Sequence, residues 1–496
     1  MSPNVRINQL ATGVPGLDAI LGGGLPEFSF NLIAGPPGAG KTTLAHQLMF
    51  ALATPERRAL FFTVLGEPPL KMLRYQQQFS FFDAGRINDT IRFVNLAESL
   101  ASGQLDRVLA HIVKEVVAFS PGLVFVDSFR SILPEASSRT EGAISPRQFF
   151  QQLGIQLSSW QATSFLLGED LSASDLQPIC TVVDGLFRLH QSVYRNSMVR
   201  KIQVLKLRGQ ATSPGIHTFR ITGDGIEVFP AAVVPGDTEA GPVTAVAPRQ
   251  ETRLTMGVEG LDEMLGGGLP AGYSLLVAGP SGSGKTILAT AFLAEGVRLG
   301  EPGVIVAFEQ TPSQSWTRTI DELVRSGRIG LINTRLLDLS IDEIVQRLID
   351  LIRKMKATRV VIDSLSGFEL AVAPTFREDF RESLFRMISV LSGLGVTVLM
   401  TSELEDRYGD LRFSPNGSAF LTDAIIVQRY VELDSRLDRV MAVVKVRGSA
   451  HSNDLRQYAI TGEGIIIGTP VLEYEGLLSG RPRRRPVPPA APGSSS

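Results

Sequence analysis

At 496 residues the chain is long enough for about two to four domains, and its 44% hydrophobic and 20% charged residues suit globular units with full-sized cores. A net charge of −2 gives no bulk electrostatic footprint for nucleic acid, and the single cysteine, Cys180, excludes disulfide frameworks and multi-thiolate zinc sites. His46, His111, His190, His217 and His451 lack metal-ligand spacing, no apolar run is of membrane-spanning length, and Met1 to Leu10 lacks a signal peptide's apolar stretch, so a soluble cytoplasmic protein is expected.

In chain order, the first patterned segment is Thr12-Gly13-Val14-Pro15-Gly16-Leu17-Asp18, followed by Leu21-Gly22-Gly23-Gly24-Leu25-Pro26. An apolar run from Phe30 to Ala34 predicts a strand, and Thr43 to Ala53 predicts a helix. Between them lies Gly35-Pro36-Pro37-Gly38-Ala39-Gly40-Lys41-Thr42, which fits G-x-x-x-x-G-K-[ST] in the strand–loop–helix context of a phosphate cradle. Glycines let successive backbone N–H groups point at an anion, and the helix N-terminus adds partial positive charge. Lys41 would reach the β- and γ-phosphates and the Thr42 hydroxyl would ligate Mg²⁺, with Thr43 completing the nucleotide-binding stretch.

Further on, Val124-Phe125-Val126-Asp127-Ser128 ends an apolar run with a carboxylate, which would hold Mg²⁺ directly or through water. Leu205-Lys206-Leu207-Arg208-Gly209 places two cations on one face of a predicted strand. A solvated face is the alternative for one such pair; recurrence before glycine in both halves favours phosphate. After Ile221-Thr222-Gly223-Asp224-Gly225-Ile226 comes a segment rich in Pro, Gly, Ala and Val, residues 231–250, which reads as an extended linker.

The succession then returns. Thr255-Met256-Gly257-Val258-Glu259-Gly260-Leu261-Asp262 leads through Leu265-Gly266-Gly267-Gly268-Leu269-Pro270 to a strand from Ser274 to Ala278. A second cradle, Gly279-Pro280-Ser281-Gly282-Ser283-Gly284-Lys285-Thr286, precedes a helix from Ile287 to Val297, with Lys285 and Thr286 in the same roles. Val360-Val361-Ile362-Asp363-Ser364 supplies the matching metal carboxylate, Val444-Lys445-Val446-Arg447-Gly448 the cations, and Ile460-Thr461-Gly462-Glu463-Gly464-Ile465 the closing turn. Two copies make a tandem duplication and not a solenoid. Runs such as Arg359 to Ile362 and Gly395 to Met400 alternate with helical patterns such as Ile341 to Met355, so each half is expected to be α/β, a mostly parallel sheet between helices. The expected boundaries are a first domain at 1–230, the linker, a second domain at 251–475, and a disordered Pro/Arg-rich tail at 476–496 containing Arg481 to Arg485.

The halves part company at the carboxylate that would orient a nucleophile. Twenty-four residues after Lys285, past the run Gly303 to Phe308, stands Glu309, in Glu309-Gln310-Thr311-Pro312. The same offset from Lys41 gives Leu65-Gly66-Glu67-Pro68, where leucine can neither accept a proton nor orient water. Glu67, two positions later, substitutes only if the strand end is shifted.

Together these motifs resemble the KaiC family of RecA-like ATPases, over Val5 to Gly468. The resemblance implies double-ringed homo-hexamers with MgATP between neighbouring subunits, Lys206 and Arg208 completing the first-ring site in trans, and Lys445 and Arg447 the second. Cations so placed neutralise charge on the transferred phosphoryl group. In clock KaiC proteins a C-terminal tail recruits a regulator, which makes the tail the place to expect one, though its composition offers no specific match. Two departures stand out. The usual Glu-Glu pair is Glu309-Gln310 in the second half and Leu65-Gly66 in the first. The Ser-Thr pair that clock KaiC phosphorylates before a Thr-Asp motif is replaced by Ala419 and Phe420 before Thr422-Asp423, which leaves Ser414, Ser418 or Thr422 as alternative acceptors.

The leading expectation is an ATPase whose second domain hydrolyses MgATP, with Glu309, Lys285, Lys445 and Arg447 catalytic, and whose first mainly binds it. An autokinase with a non-standard acceptor and a nucleotide-gated scaffold are the alternatives. A DNA-associated motor is disfavoured by balanced charge and few aromatics.

Overall fold

The structure, a computed structural model, describes residues 7–63, 69–101, 104–128, 146–169, 181–194, 197–231, 252–308, 318–333, 340–371, 380–404, 421–477 and 483–484. The chain divides into two compact units, Met1–Ala231 and Ala232–Ser496. Most of the expected linker and tail, Cys180, the segments holding Leu65, Gly66, Glu67 and Glu309, and Ser414, Ser418, Ala419 and Phe420 lie outside the described residues.

The first unit is built on a nine-stranded sheet. From one edge to the other its strands are Ile91–Asn95, Ala59–Thr63, Leu123–Asp127, Thr163–Gly168, Phe30–Ala34, Gly185–Tyr194, Ser197–Leu207, Ile216–Thr222 and Gly225–Phe229. The first six pair in parallel and the last three extend the sheet antiparallel. The central parallel strands are mostly apolar because both faces are covered. Alternation along each strand divides them: Ile33, Phe61, Phe125 and Leu167 pack with Leu44 and Leu48 of the helix Lys41–Leu52. Leu32, Leu60, Val124 and Leu166 pack on the opposite face with Val108 and Ile112 of Leu105–Phe119 and Leu153 of Pro146–Ser159.

The second unit repeats this plan: Ile329–Asn333, Gly303–Ala307, Arg359–Asp363, Thr397–Glu403, Ser274–Gly279 and Ala424–Leu433 in parallel, then Arg436–Val446, Arg456–Thr461 and Gly464–Pro470 antiparallel. Its helix Lys285–Arg298 covers Leu275, Val277, Ile305 and Val361, while Ile341–Met355 and Phe380–Gly393 cover Leu276, Val304, Val306 and Val360. The helix Ile341–Met355 has the bounds its periodicity predicts, because the Ser340 side chain caps it by accepting from the Glu343 N–H (3.1 Å) and Lys356 ends it in the left-handed region.

Two expectations need adjusting. The loop helices start two residues earlier than the apolar pattern suggests, at Lys41 and Lys285, since polar first-turn residues carry no periodic signal. Packing also continues past 475. Leu477 is buried with Val431, Leu433 and Val440, and Arg483–Arg484 pairs antiparallel with Tyr474–Glu475. Among the described residues no helix is long and apolar enough to cross a membrane.

Candidate functional site

Each glycine-rich loop leaves the C-terminal end of a central strand, Phe30–Ala34 or Ser274–Gly279, and runs into a helix. Gly40 and Gly284 immediately precede the helices with φ of 101° and 97°, a region that side chains rarely adopt. A Cβ there would also sit 2.9 Å from Ile221 Cδ1 or Ile460 Cδ1. Lys41 Nζ donates to the carbonyls of Gly35 (2.8 Å) and Pro36 (2.9 Å), and Lys285 Nζ to those of Gly279 (2.9 Å) and Pro280 (2.8 Å). The ammonium is thus held along its own loop in both units.

Beside each lysine the next residue meets the strand-end aspartate. Thr42 Oγ1 donates to Asp127 Oδ2 at 2.8 Å, and Thr286 Oγ1 to Asp363 Oδ2 at 2.8 Å. The parallel order that sets Leu123–Asp127 two places from Phe30–Ala34, with only Thr163–Gly168 between, makes this meeting possible across a long sequence separation. The following peptide bonds, Asp127–Ser128 and Asp363–Ser364, are both cis. Burial raises the pKa of Asp127, with the Thr42 hydroxyl and the Lys41 charge opposing the shift.

The two aspartates differ in a way the sequence did not signal. Asp363 Oδ1 also accepts from the Thr401 hydroxyl, whereas Asp127 stands level with Leu167 on the neighbouring strand. A hydroxyl and a carboxylate oxygen are hard donors that suit Mg²⁺, which takes few protein ligands and completes its shell with water and phosphate.

Lys206, Arg208, Lys445 and Arg447 are not brought to the loops of their own units. Leu207 pairs with Gly185, which pairs with Asn31, so Arg208 lies at the end where the loop-bearing strand begins. Val446 stands in the same relation to Ala424 and Leu275. Roughly 17 Å of strand separates that end from the loop, at about 3.3 Å per residue. There Lys206 Nζ donates to Val183 O (2.6 Å), and Lys445 Nζ to Thr422 O (2.6 Å). Arg208 Nη1 donates to Asp184 Oδ1 (3.0 Å), and Arg447 Nη1 to Asp423 Oδ1 (3.1 Å). Burial and the neighbouring Arg447 lower the pKa of Lys445.

Asp184 and Asp423, to which the sequence assigned no role, hold these arginines, and each stands at the same offset before its K-x-R-G partner. Their second oxygens are occupied too, by the Phe30 N–H (3.0 Å) and by the Ser274 N–H (3.1 Å) and hydroxyl (2.9 Å). Thr422, one of the hydroxyls considered as a phosphate acceptor, is fully buried. Glu309 lies outside the described residues; its neighbour Phe308 donates its N–H to the Asp363 carbonyl at 3.2 Å.

Fold and loops together define a tandem pair of RecA-like phosphate-loop domains. A family model described as "ATPase: KaiC" matches residues 10–233 and again 254–471, and the chain belongs to that family. It is 27% identical over 497 residues to the circadian clock oscillator protein KaiC of Picosynechococcus sp., covering 96% of this chain and 93% of that protein. Circadian clock oscillator protein KaiC 1 of Synechocystis sp. is 27% identical over 97% of this chain and 93% of its own length. Circadian clock protein KaiC3 of the same organism is 27% identical over 96% and 95%. Family membership carries nucleotide binding and ATPase-type chemistry in general.

Proposed function

We propose that both loops bind MgATP, that the second unit hydrolyses it, and that the first serves chiefly as a binding site that holds a homo-oligomeric ring together. The observation that carries the binding half is the repeated Thr–Asp pair beside each loop lysine, Thr42 with Asp127 and Thr286 with Asp363. Mg²⁺, when bound with the nucleotide, would neutralise phosphate charge, and the Thr hydroxyl and Asp carboxylate are the groups that would hold it. Lys41 and Lys285 would exchange their loop carbonyls for phosphate oxygens.

Hydrolysis is assigned to the second unit because Glu309 follows its strand directly, while the first has Leu65-Gly66 at the matching place. Glu309 would orient the attacking water and accept its proton. The trans arrangement is supported by the cations' position: Lys445 and Arg447 belong to the end of the sheet away from their own loop. A neighbouring copy presenting its loop to that end would bring Arg447 against the transferred phosphoryl group.

The test is one sample on which bound nucleotide, phosphate release and particle mass are measured with and without MgATP. Two nucleotides per protomer, phosphate release and a nucleotide-dependent rise in mass are expected; a protomer that hydrolyses ATP without associating contradicts the trans sites. Label from γ-labelled ATP appearing on the protein would instead favour an autokinase.

A further inference from the structure

We infer that Tyr458 is a positioning residue for the second phosphate loop, and that this brace is absent from the first; the inference rests on the reading of both loops as nucleotide sites. Tyr458, on the strand Arg456–Thr461, is buried, and its hydroxyl donates to the carbonyl of Ser283 at 2.6 Å. Ser283 is itself fully buried, and its Oγ donates to Gln428 Oε1 at 3.0 Å. A Cβ on Gly279 would meet both Ser283 Oγ (2.8 Å) and Gln428 Cβ (2.9 Å), so the loop is closely seated on these strands.

The consequence comes from peptide geometry. A trans peptide sets its C=O and N–H in opposite directions. Drawing the Ser283 carbonyl toward Tyr458 therefore turns the Gly284 N–H away from that strand, toward the hollow where a phosphate would sit. Tyr430 hydroxyl, 3.4 Å from the Ser281 carbonyl, lies where it would act likewise on Gly282, more weakly at that length. Burial raises the pKa of the Tyr458 hydroxyl, which keeps it a donor at any working pH.

The first loop lacks the chemistry for this. Tyr458 stands two residues before Ile460, which packs on Gly284; Phe219 stands two residues before Ile221, which packs on Gly40. Where the second loop has Ser283 on Gln428, the first has Ala39 buried in one cluster with Leu189 and Phe219. None of those three side chains has a polar atom to offer. Among the described residues, the first loop is thus seated at Ala39 and Gly40 by apolar side chains, and the second at Ser283 by oriented hydrogen bonds.

The experiment measures equilibrium binding of ATP, ADP and adenosine to the full chain carrying Lys41→Ala, which leaves the second loop as the site read. Adding Tyr458→Phe is expected to weaken ATP and ADP about three- to tenfold, the usual cost of one such bond, while adenosine is unchanged. Equal loss for all three ligands, or none, overturns the brace. If the Lys41→Ala chain binds no ATP at all, the nucleotide reading of the second loop has failed, a distinct result that removes the brace with it. The reciprocal variant Phe219→Tyr, in a Lys285→Ala chain, guards against misfolding of the first: it should tighten ATP over adenosine at the first loop. No gain there, with Tyr458→Phe unable to fold, also overturns the inference.

Discussion

Arg447 lies against Asp423, Nη1 to Oδ1 at 3.1 Å, at the end of the second sheet where its loop-bearing strand begins and not where it ends. Asp423 is fixed in turn by the N–H and hydroxyl of Ser274. The same residues meet in the first unit as Arg208 and Asp184. A cation held this way can be aimed outward without being needed by its own loop.

Arg447→Ala is accordingly expected to leave ATP affinity within about threefold and to lower turnover on the order of a hundredfold or more. Protomer stability should barely change, since the Arg447 side chain is 60% exposed and such ion pairs contribute little. Steady-state hydrolysis beside equilibrium binding and a thermal melt separates the three effects.

Thr401→Val should raise the Mg²⁺ concentration needed for half-maximal turnover roughly tenfold, because the Thr401 hydroxyl orients Asp363. Chelation of Mg²⁺ should abolish turnover altogether. A Mg²⁺ titration of the variant and the parent checks both.

Asp127→Asn should stabilise the nucleotide-free first unit while weakening its binding of MgATP. Burial raises the folded pKa of Asp127 above its ordinary 3.8, so its contribution to stability is full below that value and is lost as pH rises through the folded pKa. At neutral pH the charged form is a cost that asparagine removes. Melting temperatures at pH 7, with and without MgATP, should move in opposite directions relative to the parent.

Acid should destabilise the first unit through His46. Burial, in contact with Phe61 (4.7 Å between ring centroids), pulls its pKa down to about 4 against a smaller opposing effect of Gln76. The unfolded chain therefore binds the extra proton between pH 6.5 and about 4, and stability present above that window falls through it. The loss is on the order of 2 kcal/mol by pH 5. His46→Phe should shrink the difference between melts at pH 7.5 and pH 5.

Local pattern made much of this molecule legible. The loops, the helix Ile341–Met355 and the strand-end carboxylates Asp127 and Asp363 each carry their signal within a few residues, because glycine, β-branched runs and periodicity are local properties. Contacts made only by sheet register were not legible. That Thr401 would bond Asp363, or Tyr458 reach Ser283, depends on which strands lie side by side. The antiparallel end of each sheet was half seen: the K-x-R-G strands were recognised and the resemblance implied that their cations serve a neighbour's site, but not that Asp184 and Asp423 hold the two arginines. Leu477 looks like part of a tail in the sequence because its partners Val431 and Val440 are distant along the chain, and proline and arginine dominate residues 481–486 just beyond it.

The two alike cradles are expected to divide their labour, and Glu309→Gln separates binding from hydrolysis. Phosphate release should fall to a small residue of the parent rate while two nucleotides still bind per protomer, and Glu67→Gln should leave release nearly unchanged. Undiminished hydrolysis in Glu309→Gln, or its loss in Glu67→Gln, would rule out this division between the units.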